Sequence, residues 1–282
     1  MRKNSIKTKI FMLPFLLLAV LFIFVPLAAI LIQSFKEVGG PFGLNNYINI
    51  FKDEYFRLGI QNSIVISLLA SVIGILISFI CAYCIYRSSG ALHRGFINLM
   101  NATSNFQGIQ LAFAFMILLG TSGVFTLTAQ NMGLEAFSNF NLYSSTGLLL
   151  TYIYFQIPLG TLLMYPSFEA IKKEYVEAAE LMGVKGAGFW TRVGIPILGP
   201  SIVGTFTILF ANAIAAYATP YALLGNNYPL LPIQISSMFT GDIIQRVDIG
   251  SALSVMIMIL LLGVTFISNR FMNKRGAVHE KE

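Results

Sequence analysis

Six uncharged apolar runs divide the chain: Ile10–Ile32, Gly59–Tyr86, Gly95–Leu119, Gly147–Phe168, Pro196–Leu224 and Ile249–Asn269. None contains Asp, Glu, Lys, Arg or His. A helix needs roughly 20 apolar residues to cross the hydrocarbon of a bilayer, and each run reaches that length. None shows the alternation over roughly ten residues that marks a membrane β-barrel strand. The pattern predicts an all-α polytopic membrane protein with six transmembrane helices. Pro14, Pro26, Pro158 and Pro166 fall in or near these runs. Neighbouring helices can satisfy the backbone groups a proline frees, so kinks rather than helix ends are expected there. The first run exceeds the roughly 7–15 apolar residues of a signal peptide, so it reads as an uncleaved first span.

Composition agrees. The chain is 56% hydrophobic and 11% charged, with a mean hydropathy of +0.75. A soluble domain carries about 25% charged residues, so polar side chains here are too few to coat a globule in water. The net charge of +6 does not call for nucleic acid, because its distribution has a simpler cause. Of the 18 Lys and Arg, one set lies in the tails and after runs two and four: Arg2, Lys3, Lys7, Lys9, Arg87, Arg94, Lys172, Lys173, Lys185, Arg192, Arg270, Lys274, Arg275 and Lys281. The other side holds only Lys36, Lys52, Arg57 and Arg246. Positive charge collects on the cytoplasmic side of a membrane protein, which predicts that both termini are cytoplasmic. Cys81 and Cys84 have CxxC spacing but sit inside an apolar run, where they read as small core residues rather than a redox or zinc pair. His93 and His279 are far apart, no HExxH occurs, and no metal site is expected.

The outer loops, 33–58, 120–146 and 225–248, contain GGPFGLNNY, NMGLEAFSNFNLYSS and GNNYPLLP. Such stretches predict turns and short interfacial helices. The segment between runs four and five is different. It holds Glu169, Glu174, Glu177 and Glu180 against Lys172, Lys173, Lys185 and Arg192. Glu174 to Met182 are good helix formers, and Gly183 is a natural left-handed stop. A second short helix is expected over Ala187 to Arg192, with Pro196 opening the next span. Ala178 and Ala179 would leave one face shallow for a close partner, flanked by Glu177 and Glu180.

The stretch EAAELMGVKGAGFWTRVGIPIL is similar to the EAA signature of inner-membrane permeases of binding-protein-dependent ABC importers. The signature is carried by Glu177, Ala178, Ala179, Gly183, Val193, Ile195 and Pro196; Val193 and Ile195 stand where the family often has Ile and Leu. GLNNYINIFKDEYFRLGIQNSIVIS and ATPYALLGNNYPLLPIQI also resemble family segments, before span two and after span five. The resemblance implies the ABC importer type I permease fold. Residues 1–58 would form the tail, a peripheral first helix and an external loop. Residues 59–282 would form a five-helix core with a cytoplasmic coupling loop near 169–196. It further implies a cytoplasmic ATP-binding subunit pair that docks on Glu177, Ala178 and Ala179. A second permease chain and an extracytoplasmic solute-binding protein complete the implied partners, with membrane lipid around them. The chain lacks GxxxxGK[ST], so ATP is expected to be used by the partner, with no cofactor bound here and no enzymatic activity of its own.

Polar residues within the runs mark the expected pathway: Asn105, Gln107, Gln110, Gln156, Asn212 and Tyr217. Each has a plainer alternative, a hydrogen bond between helices. The outer loops carry six acids, Glu37, Asp53, Glu54, Glu135, Asp242 and Asp248, against four bases. That balance and the resemblance to the spermidine/putrescine branch favour a polyamine, with ferric-ion, phosphonate or other small-anion cargo as alternatives. An ion-coupled secondary transporter is the rival class, but such carriers commonly need ionisable groups inside their spans. A membrane enzyme would need paired carboxylates, a metal triad or an activated nucleophile, which the pattern does not offer.

Overall fold

The computed structural model describes residues 12, 14–134, 140–240 and 245–279, with side chains described as far as 272. Arg2, Lys3, Lys7, Lys9, Glu135, Asp242 and Lys281, which enter the charge distribution above, lie outside the described residues. Among the described residues, six helices are long and apolar enough to cross a membrane: Pro14–Ser34, Glu54–Arg87, Ile109–Asn131, Ser145–Ala170, Ala187–Ile214 and Val247–Met272. Among the described residues there is no sheet, only an isolated bridge between Lys36 and Phe42.

In chain order, α1 is Pro14–Ser34 and α2 is the short Asn45–Lys52. Helix α3 runs over Glu54–Arg87, its 34 residues starting at Asp53, whose carboxylate accepts from the Tyr55 N–H at 2.9 Å. Next come α4 (Gly90–Ser104), α5 (Ile109–Leu119) and α6 (Val124–Asn131). Helix α7 (Ser145–Met164) is continued by a 3₁₀ turn, Tyr165–Ala170. The charged segment forms α8 (Lys173–Leu181), and α9 follows over Ala187–Ile214. The chain ends with α10 (Ala218–Leu224), α11 (Leu231–Thr240) and α12 (Val247–His279).

The pair α3–α7 is the centre of the molecule, and sequence explains how close it is. Residues Ser63, Ser67, Ala70, Ser71, Gly74, Ser78 and Ala82 of α3 recur every three or four positions and are all buried. Lipid tails are as apolar as leucine, so helices in a membrane associate through close packing and hydrogen bonds, which small residues allow. A Cβ on Gly74 would lie 2.8 Å from that of Gln156, and one on Gly160 would overlap Ser78. Ser78 Oγ donates to the Ile157 carbonyl at 3.0 Å. Helices α9 and α4 pack on this pair, while α1 lies outside against α12 with no part of its apolar window buried.

At the end remote from the charged segment, α11 folds back onto α3. Ser63 Oγ accepts from the Leu231 N–H at 2.8 Å, Asn62 Nδ2 donates to the Pro229 carbonyl at 3.2 Å, and Gln234 Nε2 donates to the Tyr55 carbonyl. These bonds satisfy backbone groups that an irregular loop would otherwise leave open.

Four expectations need correction. The third run does not form one helix over Gly95–Leu119: α4 stops at Ser104, the chain unwinds through Asn105–Gly108, and α5 begins at Ile109. Asn105 contributes by bonding its own Nδ2 back to the Asn101 carbonyl at 2.9 Å, competing with continued helix. The fifth run starts earlier, since Ala187–Arg192 is the foot of α9 rather than a separate helix, and it ends at Ile214 before the distinct α10. Here Ile195 N–H reaches back to the Trp190 carbonyl, a π turn that widens the helix just before Pro196. The same device, Val25 N–H to Val20 O, precedes Pro26 in α1. Helix α3 begins at Glu54, within the expected first outer loop. Finally, α12 starts at Val247, which takes Asp248 into its first turn. Asp248 is 1% exposed and held by Arg246 through two bonds of 3.0 and 3.1 Å, at the helix end where negative charge is favoured.

Gly74→Leu should force α3 off α7 at a cost of about 1–3 kcal/mol, lowering the melting temperature in detergent by several degrees. Leu76→Ala, on the exposed side of the same helix, should leave it nearly unchanged.

Candidate coupling surface and solute path

Helix α8 ends in a complete Schellman motif. Gly183 has φ +74°, a left-handed conformation that favours glycine. Its N–H donates to the Glu180 carbonyl at 3.0 Å, and the Val184 N–H donates to Ala179 at 2.9 Å, which is the paired pattern of that cap. Glu174 sits in the first turn, where the helix dipole favours an acid.

The two alanines separate. Ala179 is buried and turned into the protein, whereas Ala178 is exposed. The open face instead continues from Tyr175 and Ala178 to Leu181 and Met182, which are 90% and 73% exposed. Sequence spacing missed Leu181 and Met182, although Tyr175, Ala178 and Met182 recur at helical intervals. Glu177 and Glu180 lie toward a groove of about 580 Å³ between α8, the end of α3 and the foot of α9. Arg87, Lys173 and Lys185 share that groove, so its walls carry both signs.

Rings attach this segment to the spans. Phe168 of the 3₁₀ turn lies between α3 and α9, with centroid distances of 5.3 Å to Phe79, 5.8 Å to Tyr86 and 6.2 Å to Trp190. Trp190 meets Tyr83 edge-on at 5.1 Å and Phe79 at 5.7 Å. Such pairs contribute about 0.5–1.5 kcal/mol each beyond their buried area. Val193, Ile195 and Pro196 are not on the α8 face. They occupy and follow the π turn of α9, with Val193 half-buried and the other two exposed. Their place is the joint between the charged segment and the span.

A second cavity, about 250 Å³, forms where two helices break. Gln107, Asn212 and Tyr217 line it with Gly108, Phe155 and Thr219. The breaks are tied together: Gly108 N–H donates to Thr219 Oγ1 at 3.0 Å, and the same hydroxyl lies 3.1 Å from the Gly108 carbonyl, to which it donates. Non-helical backbone at membrane depth requires such internal partners. Asn212 Nδ2 is buried there with no partner among the described residues. Tyr217 accepts from Ser236 Oγ at 3.2 Å and stacks on Tyr221 at 5.1 Å. Phe155, halfway along α7, puts the cavity near the middle of the span.

Gln110 and Asn105 are exposed on either side of the break and do not line the cavity. Gln156 lies elsewhere. It is fully buried, and its Nε2 donates to Ser71 Oγ at 3.2 Å and to the Leu209 carbonyl at 2.8 Å, joining α7 to α3 and α9. It does what the plainer alternative expects of an intramembrane amide. Gly108 and Thr219 were not among the expected site residues; the NFQG stretch, an amide and glycine interruption in an apolar run, is the signal that marks the break.

Residues 74–276 match the family described as binding-protein-dependent transport system inner membrane component. The sulfoquinovosyl glycerol transport system permease protein SmoH of Agrobacterium fabrum is 27% identical over 60% of this chain and 54% of its own length, so the aligned part spans about half of that relative. The sn-glycerol-3-phosphate transport system permease protein UgpA of Yersinia pestis is 24% identical, with 83% and 80% covered. A spermidine/putrescine transport system permease protein PotC homolog of Mycoplasma genitalium is 23% identical, with 94% and 91% covered. Among solved structures, a chain of a bacterial ABC transporter involved in the import of the acidic polysaccharide alginate matches with a TM-score of 0.76 and 16% identity over 96% of both chains. The same transporter in complex with an alginate pentasaccharide-bound periplasmic protein gives 0.75 and 14%, again with 96% of both chains covered.

Thr219→Val removes both bonds to Gly108 and leaves its N–H without that partner, at a cost of about 1–3 kcal/mol. Thermal unfolding in detergent should show the loss, and Thr219→Ser should restore most of it.

Proposed function

The chain belongs to the family of binding-protein-dependent transport system inner membrane components and is a multi-pass ABC importer permease subunit of the cell membrane; from that premise we propose that it lines the solute path and couples it to a separate ATPase through α8. The observation that carries the coupling is the open face of Ala178, Leu181 and Met182 on a helix capped at Gly183. Apolar side chains this exposed, ringed by charge, suit a protein partner rather than water. The acids and bases around them keep the helix out of lipid and offer complementary contacts.

In this reading α8 and both termini are cytoplasmic, and α8 docks on one of a pair of ATP-binding subunits. Hydrolysis occurs in that partner, and closure of the pair moves α8. The ring cluster passes the displacement to α3 and α9, rocking the cavity between its two accessible states. Residues 59–282 form the working core and 1–58 its periphery, in keeping with α1 lying on the outside, mainly against α12. A second permease chain closes the path from the other side, and an extracytoplasmic binding protein delivers the cargo.

The cargo is a small polar solute. A polyamine is supported by the excess of outer acids and by one relative, the PotC homolog. A solute without positive charge is supported by the cavity itself, whose polar groups are amides, a phenol and a threonine hydroxyl, with no carboxylate among its lining residues. A secondary transporter is disfavoured by the family, and Asp248, the buried acid at the start of α12, is engaged by Arg246.

Purification of the tagged chain from gently solubilised membranes should bring an ATPase and a second permease with it. Glu177→Lys or Leu181→Glu should lose the ATPase but keep the second permease. Retention of the ATPase in both variants would rule out α8 as the docking element.

A further inference from the structure

Helix α4 has three distinct faces. One packs chiefly against α7, with His93, Ile97, Met100 and Ser104 half-buried at intervals of four, three and four residues. A second presents Leu92, Phe96 and Leu99, of which Leu92 is 63% and Leu99 52% exposed. The third presents Arg94, Asn98, Asn101 and Asn105, again at intervals of four, three and four, all exposed. The side chains of Asn98 and Asn101 make no hydrogen bond among the described residues.

An exposed helix divided this sharply meets two environments. Leucine and phenylalanine suit lipid. Asparagine amides facing hydrocarbon would be left without partners at several kcal/mol each by the order-of-magnitude cost of unsatisfied groups in lipid. The amide face therefore requires water or a polar partner. It spans about 16 Å along the helix, from 1.5 Å of rise per residue. At its far end is the break at 105–108, where Gln107 enters the mid-span cavity beside Asn212 and Tyr217. At its near end, Arg94 lies next to the α3–α4 elbow, where His93 contacts the Ile85 carbonyl at 3.1 Å and the Tyr165 hydroxyl at 3.4 Å.

We propose that Arg94, Asn98, Asn101 and Asn105 form a wall of the water-filled inward half of the solute path, continuous with the cavity at Gln107, and that this path serves a solute without positive charge. The inference rests on the permease reading above and adds a route and a solute class to it. Amides donate and accept, so they suit hydroxyl and carbonyl groups, and they exchange partners along the face without trapping the solute. The one charge on the face is Arg94. A polycation leaving by this route would pass a guanidinium and find no carboxylate on this wall.

The test is thiol labelling of the assembled complex in inverted membrane vesicles, in a background with Cys81→Ala and Cys84→Ser. Asn98→Cys and Asn101→Cys test the amide face, and Leu92→Cys and Leu99→Cys the lipid face. Only a hydrated thiol ionises and reacts readily, so the first pair should react about tenfold or more faster than the second with small charged methanethiosulfonates. With each rate taken relative to that reagent's rate with a small free thiol in water, the anionic reagent should react at least as fast as the cationic one. Should Asn98→Cys fail to assemble, Asn101→Cys one turn away carries the comparison. Equally slow reaction on both faces overturns the wall, and recovery of labelling only after the complex is dissociated assigns the face to contact with the second permease instead. A strong preference for the cationic reagent overturns the solute class. Absence of an ATPase from the purified complex would overturn the permease reading itself, and labelling does not depend on that result.

Discussion

The packing of Phe168 and Trp190 against Phe79, Tyr83 and Tyr86 is the contact on which the rest of the account depends. A short amphipathic helix such as α8, nine residues long, has little stability of its own in water. It is held by its cap at Gly183, by Ala179 turned inward, and by the rings at its two chain ends. The 3₁₀ turn brings Phe168 in from α7, and the foot of α9 brings Trp190. Both rings contact α3, so three long helices meet at one apolar joint. Close-packed side chains transmit displacement because they have few alternative arrangements. The π turn just beyond Trp190 supplies a place where α9 can change register without losing its backbone bonds.

The opposite design governs the middle of the membrane. There the chain opens two helices, at 105–108 and 215–217, and must find partners for the freed backbone inside the protein. Thr219 serves Gly108 twice. The polar cavity this creates is small, uncharged in its lining and next to the tightly packed α3–α7 pair. Stiff packing on one side and open, hydrogen-bonded backbone on the other place the compliant part of the molecule where solute would pass. The same logic explains Gln156: its amide nitrogen finds both of its partners by joining three helices rather than by facing the path.

Much of this was legible in the sequence. Six apolar runs gave the span count because hydropathy reports directly on the solvent, and the spacing of Glu177, Ala178, Ala179 and Gly183 located α8 and its stop. Helix boundaries in runs three and five were not legible, since apolar content cannot distinguish a continuous helix from two halves divided by Asn105–Gly108. The direction of Ala179 was hidden for another reason. Two adjacent alanines are equivalent in composition, and only the register of α8 against the rest of the protein decides which is buried. Leu181 and Met182 read only as helix formers, because composition does not say which apolar side chains of a short helix stay exposed. Of the amide face of α4 only Asn105 was read as a pathway residue; Asn98 and Asn101 were not, because they are spaced across a run that also satisfies the apolar criterion.

Trp190 is the single tryptophan of the chain, which makes the central joint directly observable. Its emission can be isolated in the reconstituted complex as the difference between the natural chain and Trp190→Phe. Coupling through the ring cluster predicts that ATP binding changes the intensity or wavelength of that emission, and that the change reverses after hydrolysis. Unchanged Trp190 emission in a complex that is hydrolysing ATP and moving solute would contradict the account, because the joint would then be a fixed support and the motion would reach the spans by another route.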